Sequence, residues 1–369
     1  MTRRDCLAIG AAMLSAACTP VKRTGYLGYA LIATSGENSL AVVDLATFRL
    51  SKTIPLGGAP TAVIPSTHQN YVLTPSTDSV HILDRNLSLT SSHRLGEGIS
   101  EIRLFPDNSG LVASARPSRE IIVADPTSLK TTHKTKLAAE PAAMDVASNG
   151  WVAVSMGKQG TLELLHPGSG QHKTIEIGGL VGDVRFRADG QMVLVARPEE
   201  RSILGIDVAT QKPIAELPLA MEPENLCFNS DQGQLFVTGE GMDGVAIVFP
   251  YQTMEVEQTI LAARNPGIMA TSDAPAYLFI ASRNGSDVSI LNIDSRKLIG
   301  VVDVGGQSEF IAITPDNRFA LMLNKMSGTM AAIHIPAIKA TREKKGLSLF
   351  TLVDVGAKPV HVAVVSREA

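Results

Sequence analysis

Charged and polar side chains recur where successive β-runs of this sequence begin, and they are the residues best suited to chemistry. The set contains four carboxylates, two arginines, an asparagine and a histidine: Glu101, Arg103, Asp183, Arg185, Glu224, Asn225, Glu309 and His361. Asp145 holds the position in an intervening unit that an arginine holds in two others. If a fold gathers these groups, they could bind Ca²⁺ or Zn²⁺, or act as acid–base groups with separated pKa values. They could equally pair with one another and with water.

A repeat with a period near 42 residues sets the positions of these side chains. The β-runs begin near Thr61, Glu101, Ala143, Asp183, Asn225, Gly267, Phe310 and His361, so the separations are 40, 42, 40, 42, 42, 43 and 51 residues. A fixed period of this size indicates a repeat architecture, in which each unit buries its faces against its neighbours.

Each unit contains four short apolar-rich runs. In residues 267–304 they read GIMAT, AYLFIAS, DVSILNI and LIGVVDV, and Gly, Pro, Asn, Asp and Ser separate the runs along the chain. This pattern predicts four antiparallel strands per unit. Four-stranded units of 40–45 residues are typical of an all-β fold, the β-propeller.

The two ends of the chain predict how the propeller closes. The first unit lacks an inner strand, and residues 360–366 (VHVAVVS) form an inner strand with nothing after it. Pairing between them would complete the N-terminal blade and hide both sheet edges. The count is then eight blades, or seven if the weak unit at residues 101–136 is malformed.

The repeat resembles the YVTN-type propeller family. The resemblance rests on residues 277–317 (YLFIASRNGSDVSILNIDSRKLIGVVDVGGQSEFIAITPDN) and 29–60, and it extends over about residues 25–366. It implies an exported protein, and most members of the family have no defined role. Propellers of similar shape include lactonase-like enzymes and proteins that bind a d-type haem.

A propeller would bring the polar set together, because the inner strands of all blades begin around one axis. The resulting channel mouth is therefore the candidate ligand-binding site. His361 is the only histidine at the start of an inner strand, which makes it the candidate axial ligand in the haem hypothesis.

The first residues are typical of an export signal. Residues 1–17 contain a twin-arginine-like Thr2–Leu7 segment and an 11-residue apolar stretch, and an ordinary signal with two arginines is the alternative. The sequence around Cys18 resembles a lipoprotein cleavage box, although it also suits ordinary signal peptidase. We therefore predict a signal at 1–17, lipidation at Cys18, a tether at 18–24, a propeller at 25–369 and a membrane-anchored periplasmic location.

Composition excludes some classes of function. The net charge of −3 gives no electrostatic footprint for nucleic acid, and aromatic residues make up only 4% of the chain. Residues 239–244 match G-x-G-x-x-G, but a strand follows where a dinucleotide site needs a helix. Cys227 is expected to be a small buried hydrophobe with no disulfide partner.

One basic cluster lies in a long loop and is either a contact for anionic lipid or a partner, or a solvated surface: Lys339, Arg342, Lys344 and Lys345. Taken together, the residues favour a monomeric binding or scaffold module at the periplasmic surface, with a protein or small ligand at the channel face. The alternatives are a lactonase-like or metal-dependent hydrolase and a non-covalent haem or cofactor protein. The catalytic residues, metal and cofactor stay undetermined.

Overall fold

The computed structural model describes residues 25–251, 254–338 and 349–367, and in them eight four-stranded antiparallel sheets surround a central axis. This confirms the predicted eight-bladed β-propeller. Within these ranges the helices are two 3₁₀ turns, η1 (Pro75–Thr77) and η2 (Ile335–Ala337). No helix in the described ranges is long and apolar enough to cross a bilayer.

The strands of each blade run from the axis outwards in chain order, except in the split blade 1. Blade 1 contains β1 (Gly28–Thr34), β2 (Ser39–Asp44), β3 (Arg49–Pro55) and the final strand β32 (Pro359–Ser366). Blades 2 to 4 contain β4 (Ala62–Pro65), β5 (Asn70–Thr74), β6 (Ser79–Leu83) and β7 (Leu89–Arg94); β8 (Ile99–Leu104), β9 (Leu111–Ala115), β10 (Glu120–Ala124) and β11 (Thr131–Lys136); and β12 (Ala143–Val146), β13 (Val152–Ser155), β14 (Thr161–His166) and β15 (Gln171–Glu176).

The remaining four blades follow the same scheme. Blades 5 and 6 contain β16 (Val184–Phe186), β17 (Met192–Arg197), β18 (Ser202–Asp207) and β19 (Lys212–Pro218); and β20 (Glu222–Phe228), β21 (Leu235–Glu240), β22 (Gly244–Phe249) and β23 (Glu255–Leu261). Blades 7 and 8 contain β24 (Pro266–Ser272), β25 (Tyr277–Ser282), β26 (Asp287–Asn292) and β27 (Lys297–Asp303); and β28 (Ser308–Ile313), β29 (Phe319–Asn324), β30 (Thr329–His334) and β31 (Thr351–Asp354).

Closure of the ring depends on the pairing of the last strand with the first. β32 lies antiparallel to β1, with Val362 opposite Ile32 and His361 opposite Ala33, as the sequence predicts. The weak unit at residues 101–136 is a complete blade, because β8–β11 all pair in order. The propeller therefore has eight blades and not seven.

Aspartate and asparagine form the turn between the first and second strands in blades 3 and 8. Asp107 and Asp316 each accept a hydrogen bond from the amide two residues on, at 2.9 and 3.1 Å. Asn108 and Asn317 then take φ values of 58° and 55°, in the left-handed region that asparagine tolerates. This local bonding fixes the exit of the inner strands β8 and β28 from the channel.

The core lies between adjacent blades. One cluster joins Leu31 and Val42 of blade 1 to Val63 and Val72 of blade 2, all of them fully buried. Each such side chain contributes about 1.5–3 kcal/mol through burial. The outermost strands are mainly exposed. The buried second and third strands of each blade therefore support the inner strand.

Several sequence predictions lie outside the described residues. They are the signal and tether (1–24), including Cys18, and the basic loop cluster within 339–348. The G-x-G-x-x-G segment at 239–244 is described, and it connects β21 to β22 as a strand-to-strand turn.

Candidate functional site

The inner strands present alternate side chains to the central axis, and the strand register defines two rings of such side chains. The first ring contains Ala62, Glu101, Ala143, Asp183, Asn225, Ile268, Phe310 and His361. Two residues further along lies the second ring, formed by Ile64, Arg103, Asp145, Arg185, Cys227, Ala270, Ala312 and Ala363. All of these except the buried Ala363 are half-buried, as expected for side chains lining a narrow channel.

Two ion pairs link the rings, one on blade 3 and one on blade 5. Arg103 Nε donates to Glu101 Oε1 at 2.9 Å, and Arg185 Nη1 donates to Asp183 Oδ1 at 3.0 Å. The partners are two residues apart on one strand or at its start, so they lie on the same face of the sheet. The structure thus brings these four sequence-predicted residues together in the channel as two acid–arginine pairs.

Channel side chains also hold neighbouring inner strands together. Asp145 Oδ2 accepts the Phe186 amide at 2.8 Å, and Asp183 Oδ2 accepts a longer bond of 3.4 Å from the Leu226 amide. The inner strands are edge strands with unpaired N–H groups, and these bonds supply acceptors for them. Part of the polar set is therefore structural, which sequence periodicity alone does not reveal.

Burial sets the electrostatics of this cluster. It raises the pKa of both Glu101 and Asp183, and the nearby arginines offset only part of that rise. Burial acts against the charge of Arg103, but Glu101 and Asp145 together hold its pKa above the ordinary value. Arg103 therefore stays charged, and the Glu101 and Asp183 carboxyls are more easily protonated than surface acids.

His361 lies in the first ring as a neutral imidazole. Burial, with a smaller effect of the Arg103 charge, lowers its pKa to about 4. Its Nδ1 lies 3.4 Å from the Val63 amide as acceptor, so the proton of the neutral ring is on Nε2. The ring is tilted against Phe310, with centroids 4.1 Å apart and planes at 41°.

Cys227 belongs to the second ring. Its Sγ lies 3.6 Å from the Phe228 carbonyl, and it is half-buried instead of sealed in the core. Burial raises the pKa of the thiol to about 11, with a smaller opposing effect from Arg185. Its place in the alternating pattern, two residues after Asn225, is the only sequence signal that locates it.

The channel is polar on one side and apolar on the other. Glu101, Arg103, Asp183 and Arg185 lie on blades 3 and 5, with Asp145 between them on blade 4. Blades 7, 8 and 2 contribute half-buried apolar residues to the rest of the wall, namely Ile268, Ala270, Phe310, Ala312, Ala62 and Ile64. Blade 1 lies between blades 8 and 2 and adds His361 to this mainly apolar side. A ligand in the mouth would meet a charged wall and a hydrocarbon wall at once.

Glu224 and Glu309 lie one residue before the first ring, on the exposed rim of the mouth. Glu224 forms an ion pair with Arg283 of the next blade, and Glu309 Oε2 lies 3.5 Å from Lys325 Nζ. Asn225 is half-buried beside them in the first ring. The rim is thus a set of exposed charges placed around the channel.

The described residues contain no group of three or more His, Cys, Asp or Glu arranged to hold a metal ion. In the channel each acid is instead committed to an arginine or to a backbone amide. The described residues therefore provide no set of ligands for the Ca²⁺ or Zn²⁺ ion that the sequence suggests.

Comparisons with known proteins support the fold. No protein-family model matches the chain, and no curated protein matches it. A solved structure of dihydro-heme d1 dehydrogenase NirN in complex with DHE is similar at 14% identity with a TM-score of 0.72, covering 91% of this chain and 75% of that one.

Two further solved structures are similar. A functionally unknown protein from Desulfotomaculum acetoxidans matches at 10% identity with a TM-score of 0.60, covering 92% of this chain and 100% of that one. Hydrazine synthase of Kuenenia stuttgartiensis matches at 14% identity with a TM-score of 0.58, covering 73% and 96%. At these identities the likeness shows the propeller fold alone.

Proposed function

We propose that this chain is an exported, lipid-anchored propeller of the YVTN type that binds a partner or ligand at its channel mouth. The observation that carries the proposal is the two-sided channel, which offers half-buried ion pairs on one wall and mainly apolar side chains on the other. Binding sites combine an apolar surface with a few convergent polar groups, and this mouth has both.

Exposed rim charges would fix the orientation of a protein partner. Glu309 is the best position to test because it is exposed at the mouth and forms only a long ion pair with Lys325. Reversing such a charge changes the association of a complementary partner but has little effect on the fold.

Affinity capture from the membrane fraction of the native host tests this role. The wild-type chain is compared with Glu309→Lys at the rim and with Glu255→Lys, which lies on the exposed outer strand β23. We expect a partner that is recovered with the wild type and the β23 variant, and is depleted with the rim variant. A partner recovered equally with all three would place binding elsewhere.

Export and anchoring rest on residues 2–18, whose types are typical of a lipoprotein signal. The test is metabolic labelling with a radioactive or alkyne-tagged fatty acid. We expect label in the wild-type chain and none in Cys18→Ser. Release of unlabelled wild-type protein into the soluble periplasm would contradict anchoring.

A second candidate is a non-covalent haem or related cofactor at the mouth. It is favoured by the neutral state of His361 and by the fold similarity to a haem d1-related dehydrogenase. If His361 bound the iron through Nε2, the ring proton would have to move to Nδ1. Nδ1 could then no longer accept the hydrogen bond from the Val63 amide and would need an acceptor for its own proton. A Soret band in protein from the native host, shifted by His361→Ala, would support this role, and a colourless protein would contradict it.

A further inference from the structure

A second cleft lies on the face opposite the mouth, at the seam where the ring closes. It has a volume of about 990 Å³ and lies between blades 1 and 2. Its walls include Lys52 of β3, Asn70 of β5, Arg85 in the β6–β7 turn and Ser366 at the end of β32. A volume of this size is suited to a small organic molecule.

The charge of the lining has one sign. Lys52, Arg85 and Arg367 line the cleft, and no Asp or Glu is among the described residues that do so. The whole chain, by contrast, carries a net charge of −3. A cleft lined by cations alone raises the local concentration of anions.

Lys52 is the cation best placed to serve a ligand. Its Nζ donates to the carbonyls of Leu87 and Asn86, at 2.9 and 3.3 Å. Carbonyl oxygens orient the ammonium group and bring no opposite charge to it, and Lys52 and both carbonyl-bearing residues line the cleft. Arg367 is partly neutralised, because its Nη2 lies 3.1 Å from Asp44 Oδ2.

The remaining lining suits a polar molecule. Ser51, Ser66 and Thr67 contribute hydroxyl groups to the walls. Asn70 is only 5% exposed, and its Oδ1 has no hydrogen-bond partner among the described residues. Rotation of the side-chain amide would let Asn70 form a hydrogen bond with a ligand. That bond would remove the free-energy cost of leaving the buried amide oxygen unpaired.

We propose that this seam cleft binds a small organic anion that carries hydroxyl groups, such as a hydroxylated phosphate monoester or carboxylate. Lys52 supplies the charge contact, and Asn70 with the neighbouring hydroxyls binds the polar part of the ligand. The ligand would contact blade 2 and the end of β32 together, so binding stabilises ring closure. This site is independent of the mouth and of the role proposed for it.

Calorimetric titration of the purified full chain at low salt tests the proposal, with glycerol 3-phosphate and gluconate as probes. Glycerol lacks the charge and inorganic phosphate lacks the hydroxyl-bearing carbon chain, so they serve as matched controls. We expect saturable binding of at least one organic anion, weaker binding of phosphate and none of glycerol. Binding should weaken as salt increases, and the bound ligand should raise the melting temperature.

Variants assign the binding to the cleft. Lys52→Met should weaken affinity at least about tenfold, because a charge-assisted hydrogen bond is lost. Lys173→Met is the matched control: Lys173 lies opposite Leu164 in blade 4 as Lys52 lies opposite Val42 in blade 1. Asn70→Leu should weaken binding without lowering the melting temperature, because it removes an unpaired buried acceptor.

The same chemistry occurs in the headgroup of phosphatidylglycerol. Vesicles of phosphatidylcholine with and without phosphatidylglycerol distinguish a lipid headgroup from a free solute. If the protein co-sediments with the anionic vesicles and glycerol 3-phosphate releases it, the cleft binds a lipid headgroup. If the protein binds the free anion but not the vesicles, the cleft binds a solute. Three results would overturn the proposal: no saturable binding of either organic anion, equal binding of inorganic phosphate, or equal weakening by Lys52→Met and Lys173→Met.

Discussion

At the scale of single residues, the channel shows how one set of charges can be partly structural and partly available. Asp183 is structural, because it pairs with Arg185 and accepts the Leu226 amide of the next blade. Glu309, in contrast, is exposed on the rim and contributes little to the fold. Substitutions at the two positions should therefore separate stability from binding.

Asp183→Ala should lower the free energy of unfolding by about 1–3 kcal/mol, because it removes the acceptors of the half-buried Arg185 guanidinium and of the Leu226 amide. Glu120→Ala is the control, since it removes a carboxylate paired with the exposed Lys134. That change should cost less than about 1 kcal/mol. Urea unfolding measures the free energy of unfolding of both variants. Equal decreases would show that the channel ion pair contributes no more to stability than a surface pair.

The pH dependence of stability should contain a contribution from His361. Its folded pKa of about 4 lies below the ordinary value of 6.5. The unfolded chain therefore takes up the proton first, and this group destabilises the fold as pH falls from about 6.5 to 4. The raised pKa values of Glu101 and Asp183 act in the opposite direction over the acid range.

Between pH 7 and pH 5 this histidine should account for about 2 kcal/mol of lost stability. His361→Asn keeps an acceptor near the Val63 amide but cannot titrate, so it should remove that part of the slope. Urea unfolding at the two pH values measures the difference. The same slope in both proteins would mean that the imidazole titrates normally.

At the scale of the element, β32 has the largest structural role. It supplies the inner strand of blade 1, and Val362 is buried between blades 1 and 8. Every other blade is contiguous in sequence, whereas this one depends on contacts between the two ends of the chain.

Val362→Asp should therefore cost about 3–5 kcal/mol, since it buries an unpaired charge at the closing strand. Val301→Asp is the matched control on the outer strand β27, where the side chain is 42% exposed. It should change stability by less than about 1 kcal/mol. The melting temperatures of the two variants test this, and a small loss for Val362→Asp would show that closure is dispensable.

At the scale of the whole molecule, the closed ring predicts cooperative unfolding. Within the described residues, each blade packs its hydrophobic side chains against the blades on both sides. Trp151 is the only tryptophan and lies half-buried in blade 4, which makes its fluorescence a local probe.

Unfolding in urea should give the same midpoint by Trp151 fluorescence and by far-ultraviolet circular dichroism, which reports on all blades. Coincident curves are expected because loss of blade 4 opens the cores of blades 3 and 5. Separate midpoints would show that blades unfold as independent units.

The sequence alone determined the architecture, because a period near 42 residues and four strands per unit allow few other folds. It also located the inner-strand starts, and hence Glu101, Asp183 and His361, since alternation along a strand fixes which side chains face the axis. Only the tertiary structure decided what those side chains do. Asp145 and Asp183 accept amides from other blades, Cys227 joins the channel wall, and Lys52, Arg85 and Arg367 line one cleft at the closing seam. The fold thus brings together residues about 30 to more than 300 positions apart, and no local pattern encodes the angle at which one blade meets the next.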